Sequence, residues 1–319
     1  MNTIIIDGLS FALPLFIMAI GGIYCERSGI TNLAIEGLQG FGAFCGALFA
    51  VCIADKFAGN SPVPFYLAMV FAFLGGMLFS LLHALLCIKF KANQVISGVV
   101  LNILAMALTE FMTKQINASI FGETSNKFLL GVSSRITIPV ISGIPILGAA
   151  FTNLYPFEIV IVFIAFWAWF VLYKTRLGLH LRACGDNPHA VDAAGIKVGR
   201  VRLLAVMASG AFSGLGGICF AYSISANFST NIYSGYGYLA IAALIFGNWK
   251  IMPTLGACLL FGIARSTGYE IVKLLGMPST YQDLVMLLPY VLTLLMLIFF
   301  SKKNRSPKAL GVIYDKGAR

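Results

Sequence analysis

Long runs of apolar residues with few or no charges recur along the chain and limit what it can fold into. Each run approaches the roughly 20 residues that a helix needs to cross a bilayer. Only 11% of the residues are charged, whereas an average soluble domain has about 25%. The sequence therefore predicts an all-α polytopic membrane protein with about eight to ten transmembrane helices, and it excludes a soluble enzyme. The runs cover 3–25, 37–54, 61–88, 94–109, 157–173, 203–225, 233–249, 251–264 and 284–300.

The two runs 233–249 and 251–264 differ from the others because polar residues and a proline interrupt them. Asn248, Lys250 and Pro253 break the apolar pattern, and a proline inside a helix removes a backbone hydrogen bond. We therefore predict two half-length segments here, either re-entrant or tightly hairpinned. Irregular backbone at membrane depth is tolerated only where protein or a water-filled cavity surrounds it.

Basic residues are concentrated in the loop 174–202, in the tail 302–319 and at Lys89 and Lys91. Lys and Arg favour the cytoplasmic side of a membrane protein, so we place all three segments there. The protein is then a multi-pass protein of the cytoplasmic (inner) membrane, with a membrane domain 1–301 and a basic cytoplasmic tail 302–319. The N-terminus lies outside, and 114–155 is the longest external loop. This distribution explains the net charge of +10 without a nucleic-acid partner.

Small residues recur every fourth position in three of the runs. This spacing lets helix backbones approach closely inside a membrane. We expect these residues to pack helices together and assign them no role in transport. They are Ser209, Ser213 and Gly217, then Gly42, Gly46 and Ala50, then Ala72, Gly76 and Ser80.

Cysteine and histidine spacing gives no sign of a metal or cofactor site. The seven cysteines contain no C-x-x-C pair and fall mostly inside apolar runs, as expected for packing residues. His83, His180 and His189 are scattered, and no H-E-x-x-H sequence is present. There is also no G-x-x-x-x-G-K-[ST] phosphate loop. We therefore expect no metal, no cofactor and no ATP hydrolysis by such a loop in this chain.

The polar loop 174–202 contains a short helix with recognisable ends. Asn187 can cap its first amides, Pro188 suits the first helical position, and Gly195 can end it in the left-handed conformation. A helix of under two turns is marginal alone in water. It therefore needs support, either from its own bundle or from a docked partner.

Several stretches resemble one family of transporters. G-D-N-P-H-A-V-D-A-A-G-I at 185–196, preceded by T-R-L-G-L at 175–179, resembles the coupling loop of ABC-importer permeases of the branched-chain amino acid/simple sugar permease family. G-G-I-Y-C-E-R-S-G-I-T-N-L-A-I-E-G at 21–37 is similar to the nucleoside-type members. The resemblance continues at 91–98 and 208–217 and covers most of the chain.

The resemblance implies a permease subunit that imports nucleosides, with ATP hydrolysed by a separate ABC ATPase. It also implies a second permease in a heterodimer, because the chain's length resembles the shorter of two paired permeases, and an extracytoplasmic solute-binding lipoprotein. The implied ATPase-coupling residues are Gly185, Asp186, Asn187, Pro188, Ala190, Asp192, Ala193 and Gly195. Val191 and Asp192 depart from the smaller or differently charged residues often found there.

Two other transport readings remain open. The same family includes permeases for simple sugars and branched-chain amino acids. An ion-coupled secondary transporter is disfavoured because such carriers usually need buried carboxylate or histidine relays, and the predicted spans contain few acids. A membrane-embedded enzyme would need clustered His, Asp or Glu, which the sequence lacks.

Polar residues on the spans are candidates for the substrate pathway. Asn32 and Glu36 form one face with Gln39; they either face a cavity or hold helices together, Asn32 as a cap and Glu36 paired with Arg27. A second stripe contains Asn102 with Asn93 and Ser97 nearby, and it also includes Gln94, Gly98 and Thr109. Amides offer a donor and an acceptor to a nucleobase, but they also form hydrogen bonds between helices.

Aromatic residues near the interrupted region complete the candidate pathway. Phe228 and Tyr236, with Tyr233 and Tyr238 beside them, could stack on a base. They could equally form an aromatic belt at the membrane interface.

Overall fold

The computed structural model is mostly helical. It describes residues 2–54, 62–131, 135–139, 147–278, 280–285, 287–300 and 305–316. Within them, the helices are α1 (Asn2–Arg27), α2 (Ile35–Ala54), α3 (Val63–Ala84), α4 (Gln94–Ile116), α5 (Pro156–Lys174), α6 (Arg176–Asp186), α7 (Pro188–Ala193), α8 (Val198–Phe220), α9 (Tyr236–Phe246), α10 (Ile251–Leu274), α11 (Thr280–Val285) and α12 (Leu288–Phe300). Single π-helical turns extend α3, α4 and α8 at Leu85–Lys89, Asn117–Phe121 and Ala221–Ser225.

Seven helices in the described part of the chain are long and apolar enough to cross a membrane. They are α1 to α5, α8 and α10, with the π-helical turns included. The shorter α9 and α12 are also apolar. The predicted all-α polytopic fold is confirmed.

The centre of the bundle is held together by glycines. α2, α3 and α8 pack against one another, and α1 packs against α8 and α10. A methyl group on Gly76 would overlap the carbonyl oxygen of Gly210, and one on Gly42 would overlap the backbone of Gly214. The predicted close packing of the small-residue stripes is therefore confirmed, because only hydrogen fits between these backbones.

α4 is longer than its apolar run indicates. The external loop was predicted to begin at 114, but α4 continues to Ile116 and its π-helical turn reaches Phe121. The ammonium of Lys114 pairs with the Glu110 carboxylate at 2.6 Å, one turn away. Both charges are therefore accommodated on the helix surface. Beyond α4, β1 (Phe128–Leu129) pairs antiparallel with β2 (Asn227–Phe228).

α10 also extends beyond its predicted end. The expectation of a half-length segment 251–264 is wrong, because α10 runs for 24 residues to Leu274. Pro253 lies in its first turn, where no intrahelical N–H bond is lost. The sequence pattern broke at Arg265, yet that guanidinium lies over the rings of Phe11 and Tyr269, at 4.5 and 5.0 Å. The aromatic rings accommodate the charge within the helix.

The three basic segments lie at the same end of the bundle, which we call the basic end. Lys91 pairs with Asp315 at 2.8 Å, and the Ala309 amide donates to the Gly185 carbonyl at 2.8 Å. Their predicted common location agrees with this arrangement. Of the predicted tail, 302–304 and 317–319 lie outside the described residues. α6, which precedes α7 in the same loop, was not predicted from the sequence.

Candidate functional site

Two helices begin inside the bundle rather than at its surface. The chain is non-helical at 28–34 before α2, and it leaves the π-helical turn of α8 at Ser225 to reach α9 only at Tyr236. The Gly37 amide in the first turn of α2 donates to the Asn102 side-chain oxygen at 2.8 Å. Asn102 is eight residues into α4, so this point lies about 12 Å from the start of α4. We call the meeting point of α2, α4 and α9 the junction, formed by 32–37, Asn102 and 235–238.

Glu36 occupies the N-terminus of α9. Its carboxylate accepts the Gly235 amide at 2.7 Å and the Gly237 amide at 2.5 Å, and Glu36 is buried. Free amides at a helix N-terminus attract negative charge. The predicted pairing of Glu36 with Arg27 is wrong, since the Arg27 Nε donates to the Trp249 carbonyl at 3.0 Å.

Asn102 is fully used by neighbouring groups at the junction. Its side-chain amide donates to the Leu33 carbonyl at 2.8 Å and to the Tyr238 hydroxyl at 2.9 Å, while its oxygen accepts the Gly37 amide. In this conformation Asn102 therefore joins α4 to both helix starts.

Asn32 and Gln39 bind other parts of the same bundle. Asn32 donates to the Ser209 hydroxyl at 2.8 Å and accepts the Ala34 amide at 3.0 Å, so it caps the approach to α2. Gln39 donates to the Ile232 carbonyl at 3.1 Å, and its buried oxygen lacks a hydrogen-bond partner among the described residues. The alternative in which this polar face holds helices together fits these contacts.

Asn93 and Ser97 lie near the basic end, apart from the junction. The Asn93 side-chain oxygen caps α4 by accepting two amides, at 2.9 and 3.1 Å. Ser97 contacts the His83 ring at 2.9 Å, and Gln94 accepts the Thr31 amide at 2.7 Å. These polar residues of the second stripe thus connect α3 and α4 to the segment before α2.

The aromatic candidates differ in environment. Phe228 is fully buried, with its ring 5.8 Å from that of Phe44. Tyr236 is buried with its ring 4.9 Å from that of Phe220. An interfacial belt is therefore wrong for these two residues. Tyr238 is 46% exposed and is the aromatic residue of α9 that faces outward.

A cavity of about 230 Å³ lies at the end of the bundle opposite the basic end. Tyr236 and Phe220 provide aromatic surface, Ile224 and Ile232 add aliphatic surface, and the other lining residues are polar. This places one predicted pathway residue, Tyr236, in a cavity that opens above the start of α9. The polar lining residues are Lys127, Ser225, Asn227, Ser229 and Ser234.

Two groups of residues at this site were missed from the sequence. Gly235 has φ +83°, and Gly237 approaches the Glu36 backbone so closely that a side chain would overlap it. Their spacing around Tyr236 was a usable signal for a helix start. Arg265 was missed because its charge was taken to end a span. Among the described residues, no group of three or more His, Cys, Asp or Glu could hold a metal ion.

The predicted short helix is present as α7. Asn187 accepts the Ala190 amide at 3.1 Å, Pro188 occupies the first position and Gly195 has φ +80°. Val191 is buried, whereas Ala190 and Ala193 are exposed. The helix thus presents small exposed side chains at the basic end, and its two ends lie where the capping pattern predicted them. Its neighbour Gly185 is buried against the Arg27 carbonyl.

Comparisons with known proteins assign the chain to one family of transport permeases. The profile described as branched-chain amino acid transport system/permease component matches residues 4–297. No solved structure matches the chain at a significant level.

Three relatives span almost the whole chain. The guanosine ABC transporter permease protein NupQ of Bacillus subtilis is 39% identical over 98% of this chain and 96% of its own length. The nucleoside ABC transporter permease protein NupC of Lactococcus lactis is 36% identical over 99% and 98%. A second guanosine permease of Bacillus subtilis, NupP, is 26% identical over 96% and 83%.

Proposed function

Because the chain belongs to the branched-chain amino acid transport permease family, we propose that it is the membrane-spanning subunit of an ATP-driven importer of nucleosides. The full-length similarity to permeases named for guanosine and nucleosides supports this substrate class. A neutral solute also fits a junction whose carboxylate is already used to cap a helix.

The basic end faces the cytoplasm in this proposal, and α7 is the contact for a separate ABC ATPase. Exposed small side chains such as Ala190 and Ala193 suit a shallow groove on that partner. ATP is hydrolysed by the partner, and its closure moves α7 relative to the bundle. The coupling residues predicted from the sequence then form the exposed surface of α7 and the caps at its two ends.

A second permease and an extracytoplasmic solute-binding lipoprotein complete the importer. Bacillus subtilis has two proteins named as guanosine permeases, and this chain is similar to both, at 39% and 26% identity. A heterodimer of two related permeases accounts for that pattern. The exposed Tyr238, bonded to Asn102, lies on the face of the junction that such a second subunit could complete.

The cavity opposite the basic end, lined by Tyr236 and Phe220, is our candidate for the site where substrate enters. The rings of Tyr236 and Phe220 can stack against a nucleobase, and the surrounding hydroxyl and amide groups can bond a ribose. Asn32, Glu36 and Asn102 act on the route indirectly, by holding the two helix starts. Asn93, Ser97 and Phe228 remain predicted pathway residues, although none of them lines this cavity.

Uptake by cells tests the substrate class. Cells lacking the gene should lose ATP-dependent import of labelled guanosine, and the wild-type gene should restore it. Import of labelled glucose and of labelled leucine, measured in the same cells, tests the alternatives of a sugar permease and an amino acid permease. Uptake that survives ATP depletion but collapses with the ion gradient would instead establish a secondary transporter.

A capture experiment tests the ATPase contact. Ala190→Arg places a bulky cation on the exposed face of α7, and Ala118→Arg makes the same change at an exposed site near the opposite end. We expect tagged Ala118→Arg protein to retain the ATPase from detergent-solubilised membranes and Ala190→Arg protein to lose it. Equal retention by both variants would remove α7 from the contact.

A further inference from the structure

The C-terminal segment 305–316 is folded against the bundle rather than extended into solvent. Ordering backbone costs about 1–2 kcal/mol per residue, so specific contacts must hold it. Three of these contacts, two hydrogen bonds from backbone amides and one ion pair, reach different turns at the basic end. The Arg305 amide donates to the Asn248 side chain at 2.8 Å, the Gly311 amide donates to the Gly29 carbonyl at 3.1 Å, and Lys316 pairs with Asp192 at 3.6 Å.

Two of these contacts reach the discontinuous helices. Asn248 lies in the turn that follows α9, and Gly29 lies in the non-helical stretch before α2. α2 and α9 are also the helices that meet at the junction through Glu36. The C-terminal segment therefore contacts the basic-end connections of both helices.

The same segment supports α7. The Tyr314 ring lies 5.2 Å from the His189 ring, between centroids. Tyr314 also packs against the buried cluster of Cys184, Val191 and Val198 beneath α7. A helix of six residues is unstable alone, and the contacts of Tyr314 provide the support that α7 needs from its own bundle.

Arg202 fastens the segment to the bundle. Its buried guanidinium donates to the Ser28 carbonyl at 3.1 Å and to the Val312 carbonyl at 3.4 Å, and it lies 5.9 Å from the Tyr314 ring centre. One side chain at the start of α8 thus joins the C-terminal segment to the non-helical stretch before α2.

We propose that the C-terminal segment links α7 to α2 and α9, and that Tyr314 is the positioning residue for α7. When α7 moves, the segment carries the displacement to Gly29 and Asn248, and from there to the two helix starts at the junction. The positioning itself is a property of this chain, whereas its consequence for transport rests on the proposed function.

Hydrogen exchange on the purified full chain tests the positioning. We expect Tyr314→Ala to raise exchange of the α7 amides about threefold to tenfold, the range for losing an aromatic contact, and to raise exchange at 28–31 with it. Tyr314→Phe should restore protection, because it keeps the ring that packs against His189 and against the buried cluster beneath α7. Ile313→Ala is the matched control, since Ile313 is 47% exposed next to Tyr314. Unchanged α7 exchange in Tyr314→Ala, or an equal effect of Ile313→Ala, overturns the proposal.

Alkylation of Cys184 gives a second readout in membranes. The thiol is fully buried under α7, and burial raises the pKa of Cys184 to about 11, so little thiolate is available for maleimide at pH 8. Tyr314→Ala should accelerate alkylation at Cys184, as located by mass spectrometry, and Ile313→Ala should not. An unchanged rate in Tyr314→Ala contradicts the supporting role.

Transport separates this link from the proposed function. Tyr314→Ala should still capture the ATPase but import guanosine about threefold to tenfold more slowly, with Tyr314→Phe close to wild type. Normal import by Tyr314→Ala overturns the link. If the wild-type chain neither captures an ATPase nor imports guanosine, the proposed function fails while the exchange experiment still decides the positioning of α7.

Discussion

The Glu36 carboxylate accepts the Gly237 amide at 2.5 Å and so caps α9 from a position 201 residues earlier in the chain. The same carboxylate accepts the Gly235 amide. One buried group therefore fixes where α9 begins and how far it lies from α2. The start of α9 depends on this tertiary contact as well as on the local sequence.

Replacing the Glu36 carboxylate by an amide should lower the free energy of unfolding. Glu36→Gln keeps the shape of the side chain but has a single carbonyl oxygen, and its NH₂ group would face a backbone N–H. We expect a loss of about 1.5–3 kcal/mol, the range for a hydrogen bond to a charged group. Thermal unfolding in detergent, followed by tryptophan fluorescence, measures the change.

Glu110→Gln is the control for that measurement. Glu110 is substantially exposed and pairs with Lys114 one turn away. Such surface pairs contribute about 0.3–0.5 kcal/mol, so its unfolding midpoint should barely move. A Glu36→Gln midpoint equal to that of Glu110→Gln would show that Glu36 does not hold the start of α9.

Asn102 of α4 and Asn93, which caps the start of α4, should respond differently to the same substitution. Asn102 donates two hydrogen bonds, one of them to the Leu33 carbonyl. In Asn102→Asp an oxygen would face that carbonyl, and the buried acceptor would lose its partner, at about 1–3 kcal/mol. Asn93 only accepts, from two amides at the start of α4, and aspartate is an equally good cap there. Equal midpoints for the two variants would refute the hydrogen-bond assignment at Asn102.

Close packing of the central helices predicts a second pair of outcomes. A methyl group in Gly76→Ala would overlap the Gly210 carbonyl oxygen, so α3 and α8 must separate, at about 1–3 kcal/mol. Gly256 of α10 has nothing within 4 Å of its added methyl position, and Gly256→Ala should gain up to about 1 kcal/mol from helix propensity. Unfolding midpoints and the yield of monodisperse protein test both changes. Normal stability of Gly76→Ala would mean that the two backbones are farther apart.

Hydropathy and local chemistry predicted much of this fold. The membrane spans follow from apolar runs, and the ends of α7 follow from Asn187, Pro188 and Gly195, because caps depend on residues one to three positions away. The capacity of α3 and of α8 for close packing follows from the small residues at every fourth position in each helix, such as Ala72, Gly76 and Ser80 in α3. Each of these features is encoded within one segment of the chain.

The hydrogen-bond partners of buried polar residues could not be predicted from the sequence. Arg27 is the basic residue nearest to Glu36 in the chain. The Glu36 carboxylate nevertheless accepts hydrogen bonds from the amides of Gly235 and Gly237. The end of α10 was placed too early because the ring of Phe11, from α1, accommodates Arg265. Both errors arise because the compensating group lies in a distant segment.

The left-handed end of α7 predicts how Gly195 can be replaced. Gly195 has φ +80°, and nothing lies within 4 Å of an added methyl group, so conformation and not space limits the choice. Asparagine tolerates this region, whereas the β-branched valine does not. We therefore expect Gly195→Asn to retain ATPase capture and guanosine uptake, and Gly195→Val to lose most of both while its spans still assemble. Capture from solubilised membranes and initial uptake rates measure the two effects. If Gly195→Val transports like Gly195→Asn, the backbone turn at Gly195 is not needed for coupling, and the contact with the ATPase must rest on the α7 surface alone.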